Sequence, residues 1–128
     1  MGKNVLIAED QPDSLQLMED ILEAFHPYGV RVFSARDGKE ALEIALRERV
    51  DLVLLDIMMP EISGFDICKA IKDDPEMADC YVIMVSAKAE GQDRRLAAEV
   101  GADEYLTKPF DVLHVLERVG SALKVKPV

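Results

Sequence analysis

The chain has 128 residues, 49% hydrophobic and 31% charged, which are ordinary values for one soluble globular domain. Its 25 acidic and 15 basic side chains give a formal net charge of −10, a field that disfavours direct binding to nucleic acid or to an anionic membrane surface. No apolar stretch approaches the ~18 residues that a membrane span requires.

The first predicted strand, Val5–Ala8, begins almost at the N-terminus, so we expect no signal peptide. The apolar residues that follow recur at helical spacing. Asp13 or Ser14 is the expected cap of this first helix, because short polar side chains accept hydrogen bonds from the free N–H groups of a helix start. We expect the segment Pro27–Gly29 to end it.

Strand and helix patterns then alternate without a linker. Further strands are predicted at Val30–Phe33, Val53–Asp56, Tyr81–Val85 and Glu104–Thr107. Three helices are expected to begin at the polar caps Asp37, Ser63 and Asp111. The fourth helix, at about Asp93–Val100, is poorly amphipathic, whereas the last helix is predicted to carry its apolar face on Val112, Leu116, Val119 and Leu123.

Short apolar strands separated by helices are typical of parallel strands that are buried on both faces. Right-handed crossovers then produce an α/β, doubly wound parallel sheet. Cys68 and Cys80 lack the spacing of a metal or redox motif. We expect both to be reduced, buried thiols in a cytoplasmic protein.

Residues with reactive side chains end or directly follow four predicted strands: Glu9 and Asp10, then Asp56, Ser86 and Lys108. Ligands of open parallel sheets bind beyond the carboxyl ends of the strands, so we expect these side chains to share one cleft. Two carboxylates ~5 Å apart repel by ~3 kcal/mol at an effective dielectric constant of about 20, so three of them call for a cation. Oxygen-only ligands favour Mg²⁺, with Mn²⁺ as a near-equivalent.

Asp56 is the predicted nucleophile of this cleft. A carboxylate can attack phosphorus in line while Lys108 and the cation neutralise the phosphoryl oxygens, and Ser86 can donate a hydrogen bond to one of them after transfer. The sequence contains neither GxxxxGK[ST] nor GxGxxG, and both histidines, His26 and His114, fall in helical segments. We therefore expect the phosphoryl donor to come from outside the chain.

These residues belong to linked motifs: Glu9-Asp10, Asp51–Pro60 with Gly64 after it, Ser86-Ala87, and Lys108-Pro109-Phe110. In their order and spacing, over essentially the whole chain, the sequence resembles the receiver domain of two-component response regulators. The resemblance implies a flavodoxin-like (βα)5 fold with strand order 2-1-3-4-5. It also implies a receiver domain over residues 1–124, followed by a C-terminal tail at 125–128.

By this resemblance, Asp56 accepts a phosphoryl group from a histidine of a sensor kinase or phosphotransfer protein. Mg²⁺ is held by Glu9, Asp10, Asp56 and the backbone carbonyl of Met58. Glu9 stands where the family often has Asp, which is expected to alter water-mediated contact with the metal. The positions of Met58 and Lys88 tune the lifetime of the phosphoryl group, and an apolar Met58 is poorly suited to orient an attacking water.

The resemblance also implies a switch. Ser86 is the switch hydroxyl, Lys108 binds the phosphoryl group, and Tyr105 is the aromatic residue whose rotamer follows activation. The Lys108-Pro109 bond is often cis in this family. The fourth helix, fifth strand and last helix form the expected output surface, which contacts a downstream target protein or output domain or forms a phosphorylation-dependent homodimer.

Two alternative functions leave different sequence signatures. A Mg²⁺-dependent phosphatase with an aspartate nucleophile needs a general acid, usually an Asp two residues after the nucleophile, where this chain has Met58. A flavin-binding module needs a phosphate loop rich in Ser and Thr and stacking aromatic residues, but this chain has no Trp and only 5% aromatic residues. Both signatures favour a signalling domain over an enzyme or a cofactor carrier.

Overall fold

A computed structural model describes residues 2–87 and 91–126 of the chain. Lys88, for which an effect on phosphoryl lifetime is expected, lies outside these ranges. The strands are β1 (Lys3–Ala8), β2 (Val30–Ala35), β3 (Leu52–Asp56), β4 (Tyr81–Ser86) and β5 (Glu104–Thr107). The α-helices are α1 (Pro12–Leu22), α2 (Gly38–Glu48), α3 (Gly64–Asp73), α4 (Gly91–Glu99) and α5 (Val112–Leu123), and a 3-10 helix, Glu23–Tyr28, follows α1.

The strands form one parallel sheet in the order β2-β1-β3-β4-β5, which confirms the predicted fold and strand order. Ala8 at the end of β1 pairs with Leu55 of β3. One strand further, Ser86 at the end of β4 pairs with Thr107 at the end of β5. This register brings the carboxyl ends of the strands to one edge of the sheet.

The sheet is buried between two layers of helices, as the continuous apolar strands predict. Leu6 and Ala8 of β1 pack in the cluster that α2, α3 and α4 cover. Val5 and Ile7, which alternate with them, pack in the cluster beneath α1 and α5. The period-2 alternation of a strand therefore divides each apolar run between the two layers.

Three predicted helix caps are confirmed. Asp37 accepts a hydrogen bond from the Glu40 N–H at 2.8 Å at the start of α2. The Ser63 hydroxyl accepts one from the Asp66 N–H, 3.2 Å away, at the start of α3, and Asp111 accepts from Leu113 at the start of α5.

The predicted cap of α1 was wrong. Asp13 and Ser14 lie inside the helix, and the cap position is Gln11, whose side chain makes no capping hydrogen bond. Pro12 is the first helical residue, because its fixed φ suits a helix start and the N–H groups of the first turn have no acceptor within the helix. Asp13 stands instead in the first turn, next to the positive end of the helix dipole.

The predicted apolar face of α5 needs one correction. Val119 and Leu123 are buried, but Val112 is 43% exposed and Val115 is buried in its place. The positions 115, 119 and 123 repeat every four residues along the face that meets the sheet, and Val112, in the first turn, falls outside this stripe. Beyond α5, Val125 packs against the α1/α5 cluster, while residues 127 and 128 of the expected tail lie outside the described ranges.

Cys68 and Cys80 are buried free thiols, as predicted. Burial raises the pKa of Cys68 to about 11 and that of Cys80 to about 12, so both are uncharged at neutral pH. None of the helices in the described ranges is long and apolar enough to cross a membrane.

Candidate functional site

The carboxyl edge of the sheet collects the polar residues that follow the strands. Glu9 and Asp10 come directly after β1, Asp56 is the last residue of β3, Ser86 is the last residue of β4, and Lys108 follows β5. Because these five residues come from four different strand ends, the relative positions of the four ends are held by the hydrogen bonds of the sheet.

Glu9, Asp10 and Asp56 form an acidic cluster in which each residue offers one carboxylate oxygen, all within 4.8 Å of one another. Glu9 is fully buried, Asp56 is 5% exposed, and Asp10 is half-buried. A cluster of oxygen ligands with one solvent-facing side fits a hard divalent cation that retains water, as Mg²⁺ does, and does not fit a metal that needs sulfur or nitrogen ligands.

Lys108 joins two of these carboxylates. Its Nζ lies 2.5 Å from Glu9 Oε1 and 3.1 Å from Asp56 Oδ2. Its backbone N–H donates to the Ser86 carbonyl oxygen at 2.8 Å, so the chain beyond β5 is tied to the end of β4. The Lys108-Pro109 peptide bond that follows is cis, as the resemblance suggested.

The charges of this group are unbalanced, and the pKa values respond. Burial and the neighbouring Asp56 raise the pKa of Glu9 to about 7, although hydrogen bonds from Lys108 and the Gln11 N–H oppose the shift. Burial alone would lower the pKa of Lys108, but the hydrogen bond with Glu9 and the charges of both carboxylates outweigh it and raise the pKa. The single ammonium of Lys108 therefore cannot neutralise the negative charge of the carboxylates around it.

The loop after β3 approaches Asp56 from the other side. The Met58 N–H donates to Asp56 Oδ1 at 2.9 Å, while Met58 itself is 65% exposed. The two oxygens of Asp56 thus have different partners, a backbone N–H for Oδ1 and Lys108 for Oδ2.

Gly64 has a positional role that the sequence motif contains but does not explain. A Cβ at this residue would lie 2.6 Å from the Asp56 carbonyl oxygen and 2.8 Å from Ile57 Cα, closer than a side chain can stand to backbone. The Gly64 N–H also donates to the Ile57 carbonyl oxygen at 3.0 Å. The start of α3 is therefore packed directly on the backbone of Asp56, and only glycine permits this approach.

Ser86 and Tyr105 lie toward the β5 side of the cluster. Ser86 is 1% exposed at the end of β4, the strand next to β3. Tyr105 is half-buried on β5, where it pairs with Met84, and the guanidinium carbon of Arg94 stands 4.6 Å from the centre of its ring. Both histidines, His26 and His114, are exposed and lie outside this edge.

The sequence matches the family model of the response regulator receiver domain over residues 5–120, and the chain belongs to this family. It is 37% identical over 123 residues to the polar-differentiation response regulator DivK of Brucella anthropi, covering 96% of this chain and 98% of DivK. It is also 37% identical over 124 residues to the alkaline phosphatase synthesis transcriptional regulatory protein PhoP of Bacillus subtilis. That match covers 97% of this chain but only 50% of PhoP, so the chain spans half the length of this relative.

Among solved structures, the receiver domain of the sensor histidine kinase PA1611 from Pseudomonas aeruginosa PAO1 superposes with a TM-score of 0.85 at 27% identity, covering 97% of this chain and 99% of that one. Its structure holds a magnesium ion coordinated in the active-site cleft. The acidic triad that could hold such an ion is present in this chain.

The family assigns this chain to two-component signal transduction, as a signalling domain rather than an enzyme. A receiver domain implies a histidine kinase as partner. Neither the phosphatase nor the flavin-binding alternative accounts for the family match, and the residue two positions after Asp56 is the apolar, exposed Met58.

Proposed function

We propose that Asp56 is the phosphoacceptor of this domain and takes its phosphoryl group from a phosphorylated histidine on a sensor kinase or phosphotransfer protein. One observation carries the proposal: the Asp56 carboxylate is almost buried, within an acidic cluster, and has the Lys108 ammonium 3.1 Å from Oδ2. A nucleophile placed next to a fixed cation is prepared for a transition state that develops negative charge.

In the transfer, a carboxylate oxygen of Asp56 forms a bond to phosphorus, and the bond from phosphorus to the donor nitrogen breaks, returning its electron pair to the imidazole ring. Lys108 neutralises charge on the phosphoryl oxygens. Mg²⁺ (or Mn²⁺), when bound by Glu9, Asp10, Asp56 and the Met58 carbonyl, supplies further positive charge there. The excess of carboxylates over cations in the cluster is the reason to expect that this charge is needed.

The phosphoryl group adds about −1.5 to −2 charges, which require new hydrogen-bond partners. In the proposal, Ser86 moves toward the phosphoryl oxygens, Tyr105 turns into the space behind β4, and the face formed by α4, β5 and α5 changes shape. That face then controls a downstream target protein or output domain, or pairs with a second copy of the chain. The receiver domain spans residues 1–124, with 125–128 as a tail, and the two free thiols fit a cytoplasmic location.

The test is covalent labelling. Incubation with Mg²⁺ and acetyl phosphate should add one phosphoryl group that is labile to base, as acyl phosphates are, and Asp56→Asn should abolish it because an amide is not a nucleophile of this kind. Asp73→Asn is the matched control, since it neutralises an exposed carboxylate on α3 by the same change. Intact-mass analysis that finds the label retained in Asp56→Asn, or lost in the control, contradicts the assignment.

A further inference from the structure

Arg94 of α4 covers the ring of Tyr105 on β5. The guanidinium carbon lies 4.6 Å from the ring centre, within the range of a cation–π attraction. Arg94 is exposed and Tyr105 is half-buried, so the cation covers the ring from the solvent side. Helix α4 buries only Ala97 among its described residues, and this stack is therefore one of the contacts that hold α4 against β5.

Two cavities flank this stack, and both are lined by Arg94 and Tyr105. One, of about 270 Å³, extends toward Phe110 and Val115 at the start of α5. The other, of about 240 Å³, extends toward Ala97 and Ala102. Open space therefore borders the stack toward α4 and toward the start of α5, so close-packed side chains do not enclose the ring on these sides.

We propose that Arg94 is a positioning residue that holds the Tyr105 ring in its resting orientation and so sets the activity of the unphosphorylated domain. The inference rests on the proposed switch, and it names Arg94 as the residue that opposes the rotation of Tyr105. A cation–π contact at an exposed site biases a conformational equilibrium by roughly two- to fivefold. Because a conformational bias and a ligand affinity are linked, removing the stack should tighten binding of a phosphoryl mimic by up to the same factor.

The experiment compares Arg94→Ala with Arg95→Ala, a matched control that removes the same charge from the adjacent exposed residue of α4. The chain has three tyrosines, so the ring signals of selectively labelled tyrosine are few, and Tyr105→Leu assigns the one of interest. Without ligand, Arg94→Ala should move the Tyr105 ring signal toward its position in the beryllofluoride- and Mg²⁺-bound protein. It should also tighten beryllofluoride binding by roughly two- to fivefold, while Arg95→Ala does neither.

Two further variants make the outcome specific. In a Tyr105→Leu background, Arg94→Ala should no longer change beryllofluoride affinity, whereas Arg94→Lys, which keeps a cation, should stay close to wild type. Equal effects of Arg94→Ala and Arg95→Ala, or an unmoved ring signal in Arg94→Ala, overturn the inference. Labelling by acetyl phosphate distinguishes a failure of the proposed function from a failure of the proposed role of Arg94. A wild type that takes no label refutes the proposed function. Normal labelling together with an unmoved Tyr105 ring signal in Arg94→Ala refutes only the role of Arg94.

Discussion

Two charged clusters at different places in the sheet both combine carboxylates with a cationic side chain, but only one of them is balanced in charge. The acidic cleft (Glu9, Asp10, Asp56 and Lys108) sets three carboxylates against one ammonium. The arginine clamp (Tyr81, Glu104 and Arg118) contains one carboxylate and one guanidinium. Arg118 Nε lies 2.6 Å from Glu104 Oε1 and Arg118 Nη2 lies 2.8 Å from Glu104 Oε2. The Tyr81 hydroxyl donates a hydrogen bond to the same carboxylate.

The pKa values record this difference. Burial raises the pKa of Glu9 to about 7, and its hydrogen bonds do not compensate. Burial also acts to raise the pKa of Glu104, but the hydrogen bonds from Arg118 and Tyr81 outweigh it, and the pKa falls below its ordinary value. A balanced cluster fastens β4, β5 and α5 together, whereas an unbalanced one remains ready for an added cation.

The largest expected contrast is the response to Mg²⁺. At a concentration ten times Kd, binding to the native state should add about 1.4 kcal/mol to the free energy of unfolding, a rise in Tm of roughly 5 °C. Asp10→Asn should weaken this response, and the metal-free variant should be at least as stable as wild type because one repelling charge is gone. Differential scanning calorimetry with and without Mg²⁺ measures both effects.

Glu104→Gln serves as the control, since it alters a carboxylate of the clamp and leaves the cleft intact. Its Tm should rise with Mg²⁺ as much as that of wild type. A Tm that is insensitive to millimolar Mg²⁺ in the wild type, or a full response in Asp10→Asn, rules out the metal site in the cleft.

The next contrast is in the pH dependence of stability, to which the two clusters should contribute with opposite sign. Glu9 titrates near 7 when folded and near 4.5 when unfolded, so its contribution is fully present below about pH 4.5 and is lost as the pH rises through about 7. Glu104 has a lowered folded pKa, so its contribution is present above about 4.5 and is lost as the pH falls through the folded value. Urea unfolding of metal-free wild type, Glu9→Gln and Glu104→Gln from about pH 3 to pH 8 measures both.

The difference in the free energy of unfolding between wild type and Glu9→Gln should decline from pH 4.5 to pH 7. For Glu104→Gln the difference should instead grow as the pH rises through the acid range. Parallel profiles for all three proteins would show that neither carboxylate has the environment described above.

The smallest expected effect is that of breaking the clamp. Arg118→Ala leaves Glu104 half-buried with Tyr81 alone, so Tm should fall, but by less than Mg²⁺ raises it, because partly exposed ion pairs contribute little to stability. Acetyl phosphate labelling and the Mg²⁺ response should both stay at the wild-type level. A double-mutant cycle of Arg118→Ala with Glu104→Gln measures the coupling, and strict additivity of the two changes argues against the clamp.

Much of the molecule was predictable from local patterns. The apolar strands, their parallel direction and helix caps such as Asp37 and Ser63 follow from periodicity, strand–helix alternation and short-range hydrogen bonding, which the sequence displays directly. The order of the strands in the sheet was predicted only through the family resemblance. The cap position of α1 was predicted wrongly because Asp13 and Ser14 are residue types that commonly cap helices, whereas Gln11, which precedes Pro12, is not. Val112 was wrongly assigned to the buried face of α5 because it follows the helical spacing but lies in the exposed first turn.

The sequence by itself placed Glu9, Asp56 and Lys108 at or just after strand ends, because their polar side chains interrupt the apolar runs. Strand β2, however, runs past its predicted end at Phe33 to Ala35, and β4 includes Ser86. Only the tertiary structure decided which of the polar side chains meet. Lys108 and Glu9, 99 residues apart in the chain, are joined through sheet register. The approach of Gly64 to Asp56 and the cover of Arg94 on Tyr105 depend on how helices pack on the strands. Such contacts are set by distances of a few ångströms between remote segments, which no local pattern encodes.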